Sequence, residues 1–210
     1  MIRSGLPRGI RRIALSLVIL LTAAGDRRVL ALGAPDSPTQ ELCGNCVDDD
    51  GDGLVDYEDP DCCGATRPLT VTGVTLRPST APPGGSRLDL NARYAASAPA
   101  LFEPTAQDTS LQISDPAGET FCATVAAAHW VHPVRRLYRF EDATGAFAGG
   151  LDQGQFKVKR DGGVVFRTRG RAIGLGATGG TNLVVTVRVG EDCARDTMSL
   201  RTRRNALVFP

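Results

Sequence analysis

The chain has 210 residues, 42% of them hydrophobic and 22% charged, and its 24 Lys and Arg stand against 23 Asp and Glu, a formal net charge of +1. A chain of this length can bury a self-sufficient core. Its cations are spread along the sequence rather than gathered in a run, which points to a solvated charged surface and away from nucleic-acid binding.

Arg3, Arg8, Arg11 and Arg12 precede an apolar run from Ile13 to Ala24, the layout of a signal peptide. A leader of residues 1–33 is expected, cleaved between Gly25 and Ala34. The run is about a dozen residues, short of the roughly 20 that a spanning helix needs, so no stable membrane anchor is expected. No cysteine follows directly, which argues against a lipid anchor, and Arg11-Arg12 leaves both the Sec and the twin-arginine export routes open. The expected location is secreted: extracellular, periplasmic or at the cell surface.

A Pro- and Ser-bearing linker, 34–40, leads into an acidic, cysteine-rich segment, 41–63. From Cys43 to Cys63 there are eight Asp and Glu and no Lys or Arg, whereas Gly64 to Pro210 carries 18 Lys and Arg against 12 Asp and Glu. Within the acidic segment Asp48 to Asp59 reads DDDGDGLVDYED. Aligning Gly53 with the sharp-turn glycine of an EF-hand loop puts Asp48, Asp50 and Asp52 at positions 1, 3 and 5. The carbonyl of Leu54 then falls at 7, Asp56 at 9 and Asp59 at 12. Calcium takes six to eight oxygen ligands, and a curling chain with carboxylates at alternate positions supplies them. An EF-hand-like loop binding Ca2+ is therefore expected, with Asp48, Asp50, Asp52, Leu54, Asp56 and Asp59 as ligands. Asp rather than Glu at the twelfth position shortens the reach for bidentate ligation, which suits weak affinity, on the order of 10⁻⁴ to 10⁻³ M.

Six cysteines in an exported chain imply three disulfides and no free thiol. Cys43, Cys46, Cys62 and Cys63 surround the acidic loop, and two bridges crossing from the first pair to the second are favoured, in either crossing. Cys122 and Cys193 are then expected to pair, closing a loop of about 70 residues worth roughly 4 kcal/mol of chain entropy.

From Leu69 onward the pattern has period two, and no segment sustains a helical period. Strands are expected at 69–77, 86–95, 109–114, 119–126, 136–140, 154–160, 164–170, 182–190 and 197–203. Eight or nine short antiparallel strands predict an all-β fold, a β-sandwich over residues 64–210, preceded by the disulfide-stapled loop. Gln155–Arg160 and Val164–Arg169 flank Asp161-Gly162-Gly163 and predict a hairpin. Lys157, Lys159, Arg167 and Arg169 are expected to face water, with Phe156, Val158 and Val165 in the core.

The run CGNCVDDDGDGLVDYEDPDCC, Cys43 to Cys63, resembles the aspartate-rich calcium repeats of thrombospondin type 3 modules and of dockerins. The chain also resembles uncharacterised exported proteins of myxobacteria and related delta-proteobacteria. In these a cysteine-bracketed acidic segment precedes a β domain with a pattern like LYRFEDATG, here Leu137 to Gly145, and a Lys/Arg-rich hairpin. The resemblance implies no activity.

Other signals are weak. His129 and His132 flank Trp130 and Pro133 without a third ligand nearby, so a surface pair beside a buried Trp is expected rather than a zinc or catalytic site. Gly174, Gly176 and Gly179 fit G-x-G-x-x-G, but a β-branched segment follows and a glycine-rich loop is expected. Glu141-Asp142 reads as a turn, and as glycoside chemistry only if the fold sets carboxylates across a cleft. The leading expectation is a non-catalytic protein whose β domain holds a surface, glycan or protein ligand. The alternative is a secreted glycan- or ester-directed hydrolase using carboxylates of the β domain.

Overall fold

The computed structural model describes residues 40–79, 85–176 and 180–209. The expected leader and all of the linker but Gln40 lie outside the described residues.

Alternation of apolar and polar side chains builds the strands. In Ser86–Ala95, Leu88, Leu90, Ala92 and Tyr94 are buried, while Arg87, Asp89, Asn91 and Arg93 between them are exposed. That is how a sheet with one face on a core must read. The described residues form β1 (Arg67–Pro68), β2 (Thr70–Arg77), β3 (Ser86–Ala95), β4 (Thr109–Asp115), β5 (Gly118–Val125), β6 (Val131–Val134) and β7 (Leu137–Glu141). They continue with β8 (Leu151–Val158), β9 (Gly163–Ile173), β10 (Asn182–Val189), β11 (Asp192–Ser199), β12 (Arg201–Arg203) and β13 (Ala206–Phe209).

Two sheets result: five strands in the order β1-β11-β10-β4-β5, and eight in the order β12-β13-β2-β3-β9-β8-β7-β6. All neighbours are antiparallel except β1 and β11. One apolar cluster takes side chains from both, including Leu111, Ile113, Val185 and Val187 of the first and Leu76, Leu90, Phe156 and Phe166 of the second. The all-β sandwich expected from the pattern is the fold.

The differences in strands have local causes. β11 begins at Asp192 rather than 197 because its first residues, Asp-Cys-Ala-Arg-Asp, carry no β-forming signal and are held by pairing with β10. The expected strand 197–203 breaks at Leu200, which is buried and donates its N–H to the Thr181 carbonyl at 2.7 Å. β1, β6 and β13 are short strands that the pattern missed. The 155–169 hairpin forms, with Gly162 at φ +84° in its turn. Val165, however, pairs with Lys157 on the outer face, and Val164 and Phe166 enter the core instead. Side chains alternate along a strand, so Val165 must share a face with Arg167 and Arg169.

β4 departs from alternation, with all seven of its residues buried. Leu111 and Ile113 face the core. Ser110, Gln112 and Ser114 face outward and are covered, at least at Ser110 and Gln112, by the cysteine-rich segment, which lies on the outer face of the five-stranded sheet. Tyr57 donates its hydroxyl to Ser110 Oγ at 2.7 Å, and Gln112 donates Nε2 to the Val55 carbonyl at 2.8 Å. Arg195 of β11 donates to the Tyr57 carbonyl, and the Arg188 guanidinium lies 5.4 Å from the centre of the Tyr57 ring.

Candidate metal centre

The acidic loop is fastened before it is charged. Its disulfides are Cys43–Cys62, Cys46–Cys122 and Cys63–Cys193, and no described cysteine is free. Of the two crossing bridges expected inside the segment only one, Cys43–Cys62, forms; Cys46 and Cys63 bond to the sheet instead of to each other. The Cys122–Cys193 pairing is not formed, and sheet order is the reason. Cys122 lies on β5 and Cys193 on β11, three strands apart, which at about 4.8 Å per strand is roughly 14 Å. A disulfide needs Cα atoms within about 7 Å. The loop supplies the missing reach: its Cys46 and Cys63 bring Cα atoms to 5.8 and 5.9 Å from those of Cys122 and Cys193.

Asp56 is the hub of the loop's backbone. Its Oδ1 accepts the N–H of Gly44 and, at 3.1 Å, that of Asn45, while Oδ2 accepts the N–H of Cys46 at 2.6 Å. The residue is fully buried and holds φ +48°. Burial pushes its carboxyl up, the three N–H bonds pull it back, and it stays above its ordinary value. Expected as the ninth-position ligand, Asp56 is turned instead toward the Cys43–Cys46 turn. Three N–H groups of that turn converge on both Asp56 carboxylate oxygens.

Gly44 makes the turn possible. It sits at φ +92°, and a Cβ on it would lie 2.7 Å from the Tyr57 hydroxyl and 3.1 Å from Thr124 Oγ1. Only glycine takes that conformation without strain.

Glu41, outside the aspartate pattern and so missed by it, occupies the loop's interior. It is buried; its Oε1 accepts the Asp56 N–H at 2.8 Å and its Oε2 the Asp49 N–H at 2.9 Å. Oxygens of Glu41, Asp48 and Asp50 lie within 4.8 Å of one another, as do those of Asp50, Asp52 and Asp59, so Asp50 belongs to both groups. Four of the six expected ligands thus converge with one more carboxylate. Leu54 is exposed and gives its N–H to Asp52 Oδ1 at 2.7 Å. The third close group, Cys46, Glu119 and Cys122, offers no thiolate because its two sulfurs are bonded to each other.

The loop's own N–H groups shape the cluster. Asp48 accepts from Gly51 at 2.7 Å and from Gly53 at 3.0 Å, Asp50 from Asp52 at 3.1 Å, and Asp59 from Asp61 at 2.6 Å. A carboxylate oxygen that accepts one such bond keeps a second lone pair for a cation. The Asp52 N–H lowers the pKa of Asp50, but desolvation and the charges of Asp52, Asp59 and Glu41 outweigh it, and Asp50 titrates above its ordinary value. Each of the two groups offers three carboxylates and no nitrogen or sulfur, a donor type that suits hard cations.

The remaining signals resolve simply. His129 stacks on Phe147 and His132 on Tyr138, with centroids 3.8 and 4.5 Å apart, and both histidines are exposed beside buried Trp130. Gly176 donates to the Thr120 carbonyl at 2.8 Å, and Gly179 lies outside the described residues. Asp142 marks a turn: its oxygens accept the N–H and hydroxyl of Thr144 and the N–H of Phe147 at 3.0, 2.6 and 2.9 Å. No helix of the described residues is long and apolar enough to cross a membrane.

No protein family, curated protein or solved structure was found to match this chain.

Proposed function

We propose that this is an exported, non-catalytic calcium-binding protein, in which a calcium-filled loop straps a β-sandwich that holds a ligand. The observation that carries the reading is the convergence of Glu41, Asp48, Asp50, Asp52 and Asp59 in two groups sharing Asp50. Like charges this close repel, and a divalent ion relieves the repulsion where water and distance do not. Three disulfides fit an oxidising destination. The ion's part is read as structural because two of the loop's disulfides tie it to β5 and β11 of the sheet beneath.

Thermal melting of the oxidised protein, with EDTA and with millimolar calcium, tests this. Calcium at ten times its Kd stabilises by about 1.4 kcal/mol, seen as a rise in Tm. Asp48→Ala and Asp52→Ala should each remove the rise. An identical melt with and without calcium would reject the metal site.

A further inference from the structure

Arginines that are scattered in the sequence gather on the outer face of the eight-stranded sheet. In one cross-strand row Asp89 of β3 pairs with Arg169 of β9, then Gln153 of β8, then Glu141 of β7. In the next row stand Asn91, Arg167, Gln155 and Arg139. Adjoining concavities of about 320 to 380 Å³ run along this face and share lining residues. Glu141 and Gln153 join the first to the second, Asp89 and Arg169 the second to the third, and Arg77 and Arg87 the third to the fourth. Together they make one furrow across the sheet, lined by six arginines (77, 87, 139, 167, 169 and 171) against three carboxylates.

Most of that positive charge is not spent inside the protein. Asp152 takes Arg171 Nε at 2.9 Å and lies 3.7 Å from Arg169 Nε, too far for a hydrogen bond, and that Nε has no other hydrogen-bond partner among the described residues. Arg139 donates Nε only to the neutral Gln155 amide at 3.2 Å. None of the exposed large apolar side chains lines the furrow.

We infer that this furrow binds a carboxylate-bearing polysaccharide, a chain of uronic-acid type. Each unit of such a chain offers one carboxylate, which the guanidinium fork grips in two-point fashion. It also offers hydroxyls, which Gln153, Gln155, Asn91, Asp89 and Glu141 can pair as donors or acceptors. A nucleic acid fits less well. Single strands rely on aromatic stacking, and the exposed large apolar side chains of the described residues are all Leu or Val. A membrane surface would call for apolar side chains among the cations. The inference rests on the β-sandwich being a non-catalytic ligand-binding domain, and not on calcium, since the loop lies on the other sheet.

The test is titration of the oxidised full chain in EDTA with polygalacturonate, neutral dextran, duplex DNA and anionic phosphatidylglycerol vesicles, each at several salt concentrations. Polygalacturonate should bind and dextran should not, with affinity falling as salt rises. Arg139→Gln with Arg167→Gln should weaken binding at least about tenfold without moving the Tm. Arg77→Gln with Arg87→Gln, at the far end of the furrow, should weaken it too. Arg67→Gln with Arg160→Gln removes equal charge elsewhere and should change it little. Equal weakening by that last pair, tighter binding of DNA or vesicles, or no binding of polygalacturonate would each overturn the inference. If the polysaccharide bound with the same arginine dependence and was also shortened, the furrow would stand and the non-catalytic reading would fall. A missing calcium shift in Tm would remove the metal site alone.

Discussion

Glu41 and Asp56 hold each other in place: the Asp56 N–H donates to Glu41 Oε1 at 2.8 Å, while the Asp56 carboxylate gathers the N–H groups of Gly44, Asn45 and Cys46. Glu41 thereby faces the carboxylates of Asp48 and Asp50, and Asp56 is turned toward the Cys43–Cys46 turn. The two acids, alike in charge and both buried, have different work.

Asp56→Ala should therefore behave unlike Asp52→Ala. It leaves three N–H groups without their acceptor, at about 1–3 kcal/mol for each that stays buried. The Tm should fall by a large step in EDTA and in calcium alike. Asp52→Ala should leave the EDTA melt nearly unchanged and lose only the calcium response. Melting curves of both variants, each with and without calcium, separate these roles.

Gly44→Ala should destabilise by about 1–3 kcal/mol, the usual cost of a strained left-handed position, with added crowding against the Tyr57 hydroxyl. Denaturant unfolding measures it. A change under about 0.5 kcal/mol would mean that the turn relaxes around the methyl group.

Peptide mapping of the unreduced protein should yield the cross-links Cys43–Cys62, Cys46–Cys122 and Cys63–Cys193. Taken singly, the two longer loops, of 76 and 130 residues, are worth about 4–5 kcal/mol each in the chain-entropy account. Replacing Cys46 and Cys122 together by Ser should lower the Tm strongly. A recovered Cys122–Cys193 peptide would contradict the sheet order itself.

Asp142 supplies a pH dependence. Burial alone would raise its carboxyl, but the Thr144 hydroxyl and the N–H groups of Phe147, Thr144 and Gly145 outweigh that and hold it below its ordinary value. A depressed carboxyl stabilises the fold above its unfolded pKa of about 3.9. That contribution disappears as pH falls through the folded value. The Tm gap between the wild type and Asp142→Asn should thus be widest above about pH 4 and narrow in stronger acid. A gap independent of pH would show that the charge is irrelevant to the turn.

The fold was readable wherever one residue in two faced the core, as in Leu88, Leu90, Ala92 and Tyr94. It was unreadable in β11, whose polar residues form a strand only because β10 and the strapped loop lie against it. Asp48, Asp50, Asp52 and Asp59 were legible because their spacing is local. Glu41 was not, since nothing in its neighbours separates it from a solvent-facing acid, and Asp56 carries the right spacing with another task. The cysteine partners and the arginine furrow depend on which strands lie side by side, a property of the whole sheet and of no short window.

The two bridges leaving the loop end on β5 and β11, on opposite sides of β4 and β10. A pull on the N-terminal side of the chain therefore does not peel the protein open from one end. It enters at Cys43 and Cys46 and passes through covalent bonds into strands on both flanks of the sheet. The covalent path from Cys122 through the loop to Cys193 limits how far β5 and β11 can separate, while β4 and β10 between them are held by their hydrogen bonds.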